Sequence, residues 1–468
     1  MKKSSSSLYI SFFILVVWIG LFLYSHSVVP AYTLFLTSAS YFLCLFPTVA
    51  YFYSEQNIPY LPFFGIFFFV YFGLSVFLNF KAMAAYIEYI SVLNDCLLIT
   101  MLGFLSMLVA FYSPVIPTLE RIGLFRPLKI SVDLSKAYKI GIVLGILGNV
   151  FYYFTVSGVK SAFFGGTVYF LADLSKLSFV LLYMLQLRGK LNLKGKIFLW
   201  GGVFIPRIML GLVSGGTASI IIDCVLLFFV DMYCNRKIPW LKISVAAVLF
   251  FFVFSARDSY REITWKGYDE EYNTALKKAG LYLRLIGDEI TNAPNKYVKN
   301  YDRISSRSDY LVTFIIVKTL TPNYVPYWGG ETYKTLYTSF VPRFLMPDKP
   351  IKNVGQSFGH RYGLLYAGDE TTSYNLPFII EMFINFGFWG VIIGMFILGL
   401  IFRLFYLLIN SVEGGDGVVL IGAVIFSSLL GIETDFSLIF GHTLQYVIVF
   451  YIVLKMMKNH EDRVIIKK

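Results

Sequence analysis

Residues 379–409 read IIEMFINFGFWGVIIGMFILGLIFRLFYLLI, a long apolar run with one acid near its start and one arginine near its end. The run exceeds the about 20 residues that an α-helix needs to cross the ~30 Å hydrocarbon core of a bilayer. Runs of similar character recur along the whole chain. The sequence therefore predicts an all-α integral membrane protein.

The composition of the chain supports this prediction. Of its 468 residues, 57% are hydrophobic, 19% are aromatic and 15% are charged, and the mean hydropathy is +0.68. A soluble domain with that apolar fraction would expose much of it to water. The apolar runs are continuous, whereas the strands of a membrane barrel alternate apolar and polar side chains. These features favour a helical bundle.

We predict about twelve transmembrane helices in two blocks, separated by one large loop. The spans cover residues 8–24, 31–53, 60–80, 93–112, 137–156, 167–187, 197–213, 217–234, 239–255, 379–409, 418–432 and 438–455. The eleventh span is short. The N-terminal block (1–255) holds about nine helices, and the C-terminal block (379–468) holds about three and a short basic tail. Residues 256–378 form the loop, in which Tyr310–Leu320 predicts an interfacial helix.

The positive charges predict the orientation of the bundle. Lys and Arg concentrate in segments on the same side as the N-terminus, whereas short loops on the other side offer Lys81 and Lys160. By the positive-inside rule both termini are cytoplasmic and the large loop is periplasmic or extracellular. We therefore attribute the net charge of +12 to basic residues that determine the membrane topology and contact lipid headgroups. We expect no nucleic-acid partner.

Four ionisable residues fall within predicted spans, where an unpaired charge costs several kcal/mol. Asp173 and Lys176 are neighbours on one helix face because they are three residues apart. Arg207 and Asp223 lie eight residues either side of Gly215, so both should lie roughly 12 Å below the turn of a hairpin. Two interpretations stay open: structural ion pairs, or a role in holding an anionic lipid-linked substrate. Arg207 is the strongest candidate for binding because arginine binds phosphate bidentately.

The large loop is where we expect the chemistry. Arg257, Arg261, Arg343 and Arg361, with Lys349, are candidates for binding a diphosphate or a glycan, although a salt bridge within the loop is the alternative for each arginine. No cluster of His and Cys has the spacing of a metal site. We therefore expect no metal.

Three residues at the same membrane face are candidates for acid–base catalysis. His360 is the one histidine of the loop and could act as a base near neutral pH, or it could be an ordinary hydrogen-bonded surface residue. Glu381 begins the tenth span one turn before Asn385, where an acid often caps the start of its own helix. Asp348 is the third candidate.

Residues 342–350, Pro-Arg-Phe-Leu-Met-Pro-Asp-Lys-Pro, resemble the signature of Wzy-type oligosaccharide repeat-unit polymerases. The stretches Gly359-His360-Arg361-Tyr362-Gly363 and Asn385-Phe386-Gly387-Phe388-Trp389-Gly390 add to the resemblance. The resemblance is close over residues 340–395. Over the rest of the chain it is limited to the arrangement of many spans with one large external loop late in the sequence. One departure is that many relatives carry an arginine beside glycines near 197–220, where this chain has Ser214-Gly215-Gly216-Thr217.

The resemblance implies a glycosyltransferase of GT-C-like architecture in the bacterial inner membrane. Such an enzyme moves a glycan from undecaprenyl diphosphate to a fresh lipid-linked repeat unit, and so builds O-antigen, capsule or a similar polysaccharide. It needs no cofactor, since arginines can stabilise the leaving diphosphate. Its partners would be the lipid-linked oligosaccharide, membrane lipid and a chain-length regulator protein.

Two alternative functions remain open from the sequence. The first is an O-antigen ligase-type glycosyltransferase, which also uses an external loop with Arg and His. The second is a non-enzymatic flippase or transporter for lipid-linked oligosaccharide. Flippases usually have short loops and inverted repeats, and neither feature is evident in this chain.

Overall fold

The computed structural model describes residues 2–53, 58–86, 90–127, 132–157, 167–265, 272, 274–291, 309–339, 341, 346, 354–370, 372–409 and 415–458. The helices of the N-terminal block are α1 (Lys2–Ser25), α2 (Ala31–Tyr53), α3 (Tyr60–Phe72), α4 (Leu74–Tyr86), α5 (Ile90–Tyr112), α6 (Val115–Arg121), α7 (Leu134–Val156), α8 (Thr167–Ala172), α9 (Leu174–Leu187), α10 (Leu193–Ile197), α11 (Ile205–Val213), α12 (Thr217–Asn235) and α13 (Trp240–Trp265). Those that follow are α14 (Ala275–Thr291), α15 (Tyr310–Leu320), α16 (Leu336–Ser339), α17 (Val354–Arg361), α18 (Phe378–Ile409), α19 (Gly415–Leu429) and α20 (Phe436–Met457).

Eleven stretches of the described chain are long and apolar enough to cross a membrane. The prediction of an all-α membrane protein is confirmed at this level. The difference from the predicted twelve concerns residues 418–432, where α19 has 15 residues. At 1.5 Å per residue α19 is about 22 Å long, which is shorter than a hydrocarbon core of ~30 Å.

Close approach between α7 and α9 is made possible by glycines on α7. A Cβ atom added at Gly145 would lie 2.8 Å from Ser178 Oγ, and one added at Gly148 would lie 2.2 Å from the backbone nitrogen of Ser175. Ser178 Oγ in turn donates to the carbonyl of Gly141 at 2.6 Å. The spacing of Gly141 and Gly145 predicts this packing, and Gly148 extends it by one turn.

Polar contacts group the ends of the helices into two sets. At one end, which we call the basic end, Arg188 pairs with Asp416 at 3.0 Å, and Lys136 Nζ donates to the carbonyl of Lys458 at 3.1 Å. At the other, which we call the loop end, Tyr71 and Tyr310 donate to the carboxylate of Glu433 at 3.0 and 2.7 Å. These contacts agree with the predicted alternation of the spans. Which end faces the cytoplasm stays a prediction.

The ninth span continues beyond its predicted end at residue 255. Helix α13 runs unbroken to Trp265, so Arg257 and Arg261 lie on this helix and not in a loop. The drop in hydropathy at residue 256 marks the boundary of the apolar stretch and not the end of the helix.

Helix α15, predicted to be interfacial, packs against the helical bundle. Leu311, Phe314 and Val317 are fully buried, and the ring of Phe314 packs on Phe383 of α18 with 5.1 Å between centroids. Lys318 on the same helix is 29% exposed and pairs with Asp95 at 3.3 Å. The location of α15 at the membrane surface stays a prediction.

Asp309 caps α15 in a buried setting and gives a prediction about pH. Its side chain accepts hydrogen bonds from the backbone nitrogens of Leu311 and Val312 at 3.1 and 3.4 Å. Burial raises the pKa of Asp309 from 3.8 to about 6. The folded state therefore holds the proton more tightly than the unfolded state, and the free energy of unfolding contributed by this group falls as pH rises from about 4 to about 6.

We expect Asp309→Asn to stabilise the protein above pH 7, by up to about 3 kcal/mol. Asparagine is an equally good N-cap but cannot ionise, so the variant should also lose the stability contribution that varies between pH 4 and 6. Thermal unfolding of the purified protein and the variant across pH 4–8 measures both effects. Parallel curves for the two proteins would contradict the prediction.

Candidate functional site

A cavity of about 280 Å³ lies between α7, α8, α9, α11, α12 and α20. Its lining combines charged, polar and aromatic side chains: Tyr152, Thr155, Phe170, Ala172, Asp173, Lys176, Arg207, Ser219, Gln445 and Tyr446. Three of the four ionisable residues that the sequence places within spans are in this set. We call it the polar cavity.

Two helix irregularities lie at or next to charged residues of the polar cavity. Asp173 separates α8 from α9, and a π-helical turn, Phe198–Phe204, precedes α11. Pro206 is the second residue of α11, which directly follows the π turn. Breaks and π turns inside spans often occur at functional sites, because they free backbone groups to face a cavity.

Arg207 forms a buried ion pair with Asp223. Each side chain is 2% exposed, and Arg207 Nη2 lies 2.8 Å from Asp223 Oδ1. Arg207 Nε donates to the same carboxylate at 3.1 Å, and Nη1 donates to Ser175 Oγ and, at 3.5 Å, to the carbonyl of Ala172. Four of the five N–H groups of the guanidinium are thus directed at the protein. The predicted pairing is confirmed.

Asp173 forms the second pair, at the wall of the polar cavity. Lys176 Nζ lies 2.7 Å from Asp173 Oδ1, and the side chains are 14% and 17% exposed. The hydroxyl of Tyr446, from α20, donates to Asp173 Oδ2. This pairing was also predicted from the three-residue spacing. The sequence does not predict the hydrogen bond from Tyr446 of α20, because Tyr446 is 273 residues away from Asp173.

The depth of the polar cavity follows from its link to α13. Arg261 Nε donates to the carbonyl of Gly215, in the turn between α11 and α12, at 2.9 Å. Arg261 lies about 32 Å along α13 from Trp240, so the turn is near the loop-end boundary of a ~30 Å core. Arg207 and Asp223 are roughly 12 Å below the turn, and Ser219 is closer to it. The polar cavity therefore occupies the loop-end half of the bundle.

Arg257 and Arg261 make contacts within the protein at the loop end of α13. Arg257 is 4% exposed and lies over the ring of Phe254, with 4.0 Å to the centroid. Arg261 lies 4.3 Å over Trp265 in addition to its bond to Gly215. Both arginines contact protein groups, and neither lines the polar cavity.

Arg361 and His360 lie at the end of α17, apart from the polar cavity. Arg361 makes a two-pronged pair with Glu331, at 3.0 and 3.1 Å, and its guanidinium stacks 4.0 Å over the ring of Trp328. Both members of the pair are partly exposed, at 42% and 47%. His360 Nε2 lies 3.0 Å from the carbonyl of Asp369.

Glu381 is fully buried and contacts α20. Its Oε2 accepts a hydrogen bond from the backbone nitrogen of Phe436, the first residue of α20, at 2.7 Å, beside Asp435, which is the N-cap of α20. Asn385 donates to Thr332 Oγ1 at 2.9 Å and accepts from the nitrogen of Gly330 at 2.9 Å. The start of α18 thus holds both α20 and residues 330–332 in place.

The remaining predicted site residues, Arg343, Asp348 and Lys349, lie outside the described residues. Among the residues that sequence reasoning missed, Tyr446, Gln445 and Tyr152 line the polar cavity. A polar side chain in the middle of an apolar run, such as Gln445 in α20, is the signal that could have indicated them.

The fold and the cavity define a polytopic all-α membrane protein with paired charges inside its helical bundle. A family model described as a domain of unknown function, DUF8712, matches residues 66–466, and the chain belongs to this family. No curated protein and no solved structure matches the chain.

Proposed function

We propose that the protein is a membrane glycosyltransferase that joins undecaprenyl-diphosphate-linked oligosaccharide repeat units into a surface polysaccharide. The observation that carries the proposal is the polar cavity, which offers charged and hydroxyl groups in the loop-end half of a bundle of membrane helices. The glycan of a lipid-linked substrate needs polar contacts of this kind, while the lipid tail stays in the bilayer. The resemblance of residues 340–395 to Wzy-type polymerases supplies the reaction class.

In this proposal the loop end faces outward from the bacterial inner membrane, as the positive charges predict. Arg343, Lys349 and Arg361 would stabilise the negative charge on the leaving lipid diphosphate as the bond to the donor sugar breaks. A base would take the proton of the acceptor hydroxyl. Of the candidate bases, Glu381 is fully buried and His360 is partly buried, so His360 is favoured over Glu381, and Asp348 stays a candidate.

Arg343→Ala tests the proposal. We expect the variant to lose long glycan chains, because removal of one charge-stabilising donor lowers catalytic rates by about 10²–10³-fold, while the protein stays in the membrane at normal level. The chain-length distribution is measured on a gel of surface polysaccharide from a strain that carries only the variant. Arg284→Ala, which changes an exposed arginine of α14, is the matched control and should leave the distribution unchanged. Unchanged chains in the Arg343→Ala strain would count against the proposal.

The same strain separates the polymerase from the ligase alternative. Loss of a polymerase leaves single repeat units on the acceptor, whereas loss of a ligase leaves none. A ladder reduced to one repeat unit supports polymerisation, and complete absence of glycan from the acceptor supports ligation.

A flippase is the second candidate function, and the interrupted helices favour it. The break at Asp173 and the π turn before Arg207 resemble the discontinuous helices that many transporters place at their substrate sites. Purified protein in liposomes distinguishes the two. Movement of a fluorescent lipid-linked oligosaccharide between leaflets, without growth of the glycan, would favour transport.

A further inference from the structure

Among the residues that the structure describes, the side chains at the polar cavity carry no net formal charge. Its two basic side chains, Lys176 and Arg207, are matched by two acidic partners, Asp173 and Asp223, and both pairs are closed at less than 3 Å. A diphosphate placed there would bring uncompensated negative charge into a region of low dielectric, next to two carboxylates. Such burial costs several kcal/mol per charge. A ligand without charge avoids this cost.

The groups that remain available in the cavity are a mixture of donors and acceptors. Within the described residues the ammonium of Lys176 has one ion-pair partner, Asp173, so two of its three N–H groups can meet a ligand. Gln445 offers an amide that both donates and accepts. By contrast, Arg207 has four of its five N–H groups directed at Asp223, Ser175 and Ala172. Lys176, and not Arg207, is the basic group free to contact a ligand.

Aromatic rings complete the lining. Tyr152, Phe170 and Tyr446 face the cavity, and the rings of Phe170 and Tyr446 lie stacked with 5.2 Å between centroids. A pocket with apolar ring faces and a few placed polar groups is the usual form of a small-molecule site. The volume of about 280 Å³ is near the lower end of the range of such sites, ~300–1,000 Å³.

We infer that the polar cavity binds a neutral, hydroxyl-rich ring, that is, a sugar residue of a lipid-linked glycan, and that Lys176, Asp173 and Gln445 bind its hydroxyl groups. A hydroxyl both donates and accepts, which matches the mixed lining. The inference rests on the proposed function for the source of the sugar and assigns the diphosphate to a different place, outside this cavity. Arg207 and Asp223 then act as a fixed wall behind the ligand.

The inference is tested by protection of a thiol at the cavity from a water-soluble maleimide. The full-length protein in lipid nanodiscs carries Thr155→Cys, with the half-buried native thiols Cys224 and Cys234 replaced by serine. Three probes are compared: dodecyl maltoside, which has a neutral sugar headgroup; dodecyl dimethylamine oxide, which has the same tail without sugar; and farnesyl diphosphate, which has an anionic headgroup. The rate of alkylation is measured as a function of probe concentration.

We expect dodecyl maltoside to slow the alkylation of the introduced thiol and the other two probes to leave it unchanged. Gln445→Leu should weaken the protection about tenfold, the equivalent of one buried hydrogen bond. Protection by farnesyl diphosphate alone, equal protection by all three probes, or no protection by any would each overturn the inference. None of these outcomes affects the gel assay of Arg343→Ala. Conversely, sugar-specific protection together with unchanged chains in the Arg343→Ala strain would retain the sugar site and reject polymerisation.

Discussion

Replacing Arg207 with alanine is expected to destabilise the protein by about 3–5 kcal/mol. The change leaves the carboxylate of Asp223, which is 2% exposed, buried without its counter-charge. It also removes the donors to Ser175 and Ala172. Breaking a buried pair from one side is far more costly than removing both partners, because the remaining charge has lost its partner and cannot reach water.

Thermal unfolding of the purified protein, followed by size-exclusion chromatography of heated samples, measures this loss. Arg188→Ala is the matched control, since Arg188 pairs with Asp416 at 3.0 Å but the side chains are 46% and 33% exposed. An exposed pair contributes at most about 1 kcal/mol. The double variant Arg207→Met with Asp223→Leu should recover most of the stability. Equal losses for Arg207→Ala and Arg188→Ala would contradict the prediction.

The second large effect is expected from Gly148→Ala. The added Cβ would lie 2.2 Å from the backbone nitrogen and 2.7 Å from the Cβ of Ser175, so α7 and α9 have to move apart. Overpacking of this kind costs about 1–3 kcal/mol and more where backbone is involved. We expect a loss of about 3 kcal/mol, together with displacement of Ser175 from the guanidinium of Arg207.

Gly20→Ala is the matched control for this substitution. A Cβ at Gly20 of α1 meets nothing within 4 Å, and alanine is favoured over glycine in a helix by roughly 0.5–1 kcal/mol. The control should therefore be neutral or slightly more stable in the same thermal assay. A Gly148→Ala protein that unfolds at the temperature of the control would show that α7 and α9 are not closely packed.

The sequence predicts well those features that depend on short-range geometry. The pairing of Asp173 with Lys176 follows from helical spacing, and that of Arg207 with Asp223 follows from the symmetry of a hairpin about Gly215. Both partners of each pair lie on one helix or on two consecutive helices, so the distance between them is fixed locally.

The features that the sequence does not predict depend on packing between distant segments. Asp173 binds Tyr446, and Glu381 binds the nitrogen of Phe436. Both contacts depend on where α20 packs, and hydrophobic periodicity predicts helices but not which of them are neighbours. The burial of α15 was missed for the same reason, since an apolar helix of 11 residues suits a membrane surface and a protein interior equally. The candidate site was therefore only partly predictable: its charges were found, but not the cavity that they surround.

Helix α20 has a consequence for biogenesis. Its Tyr446 binds Asp173 and its first backbone nitrogen donates to Glu381, yet it is synthesised more than 200 residues after Asp223. During translation, the earlier helices must therefore enter the bilayer with one wall of the polar cavity still open to lipid. This order of insertion is tolerated because the ion pair at the start of α9 and the pair between α11 and α12 each neutralise charges within segments that are inserted together.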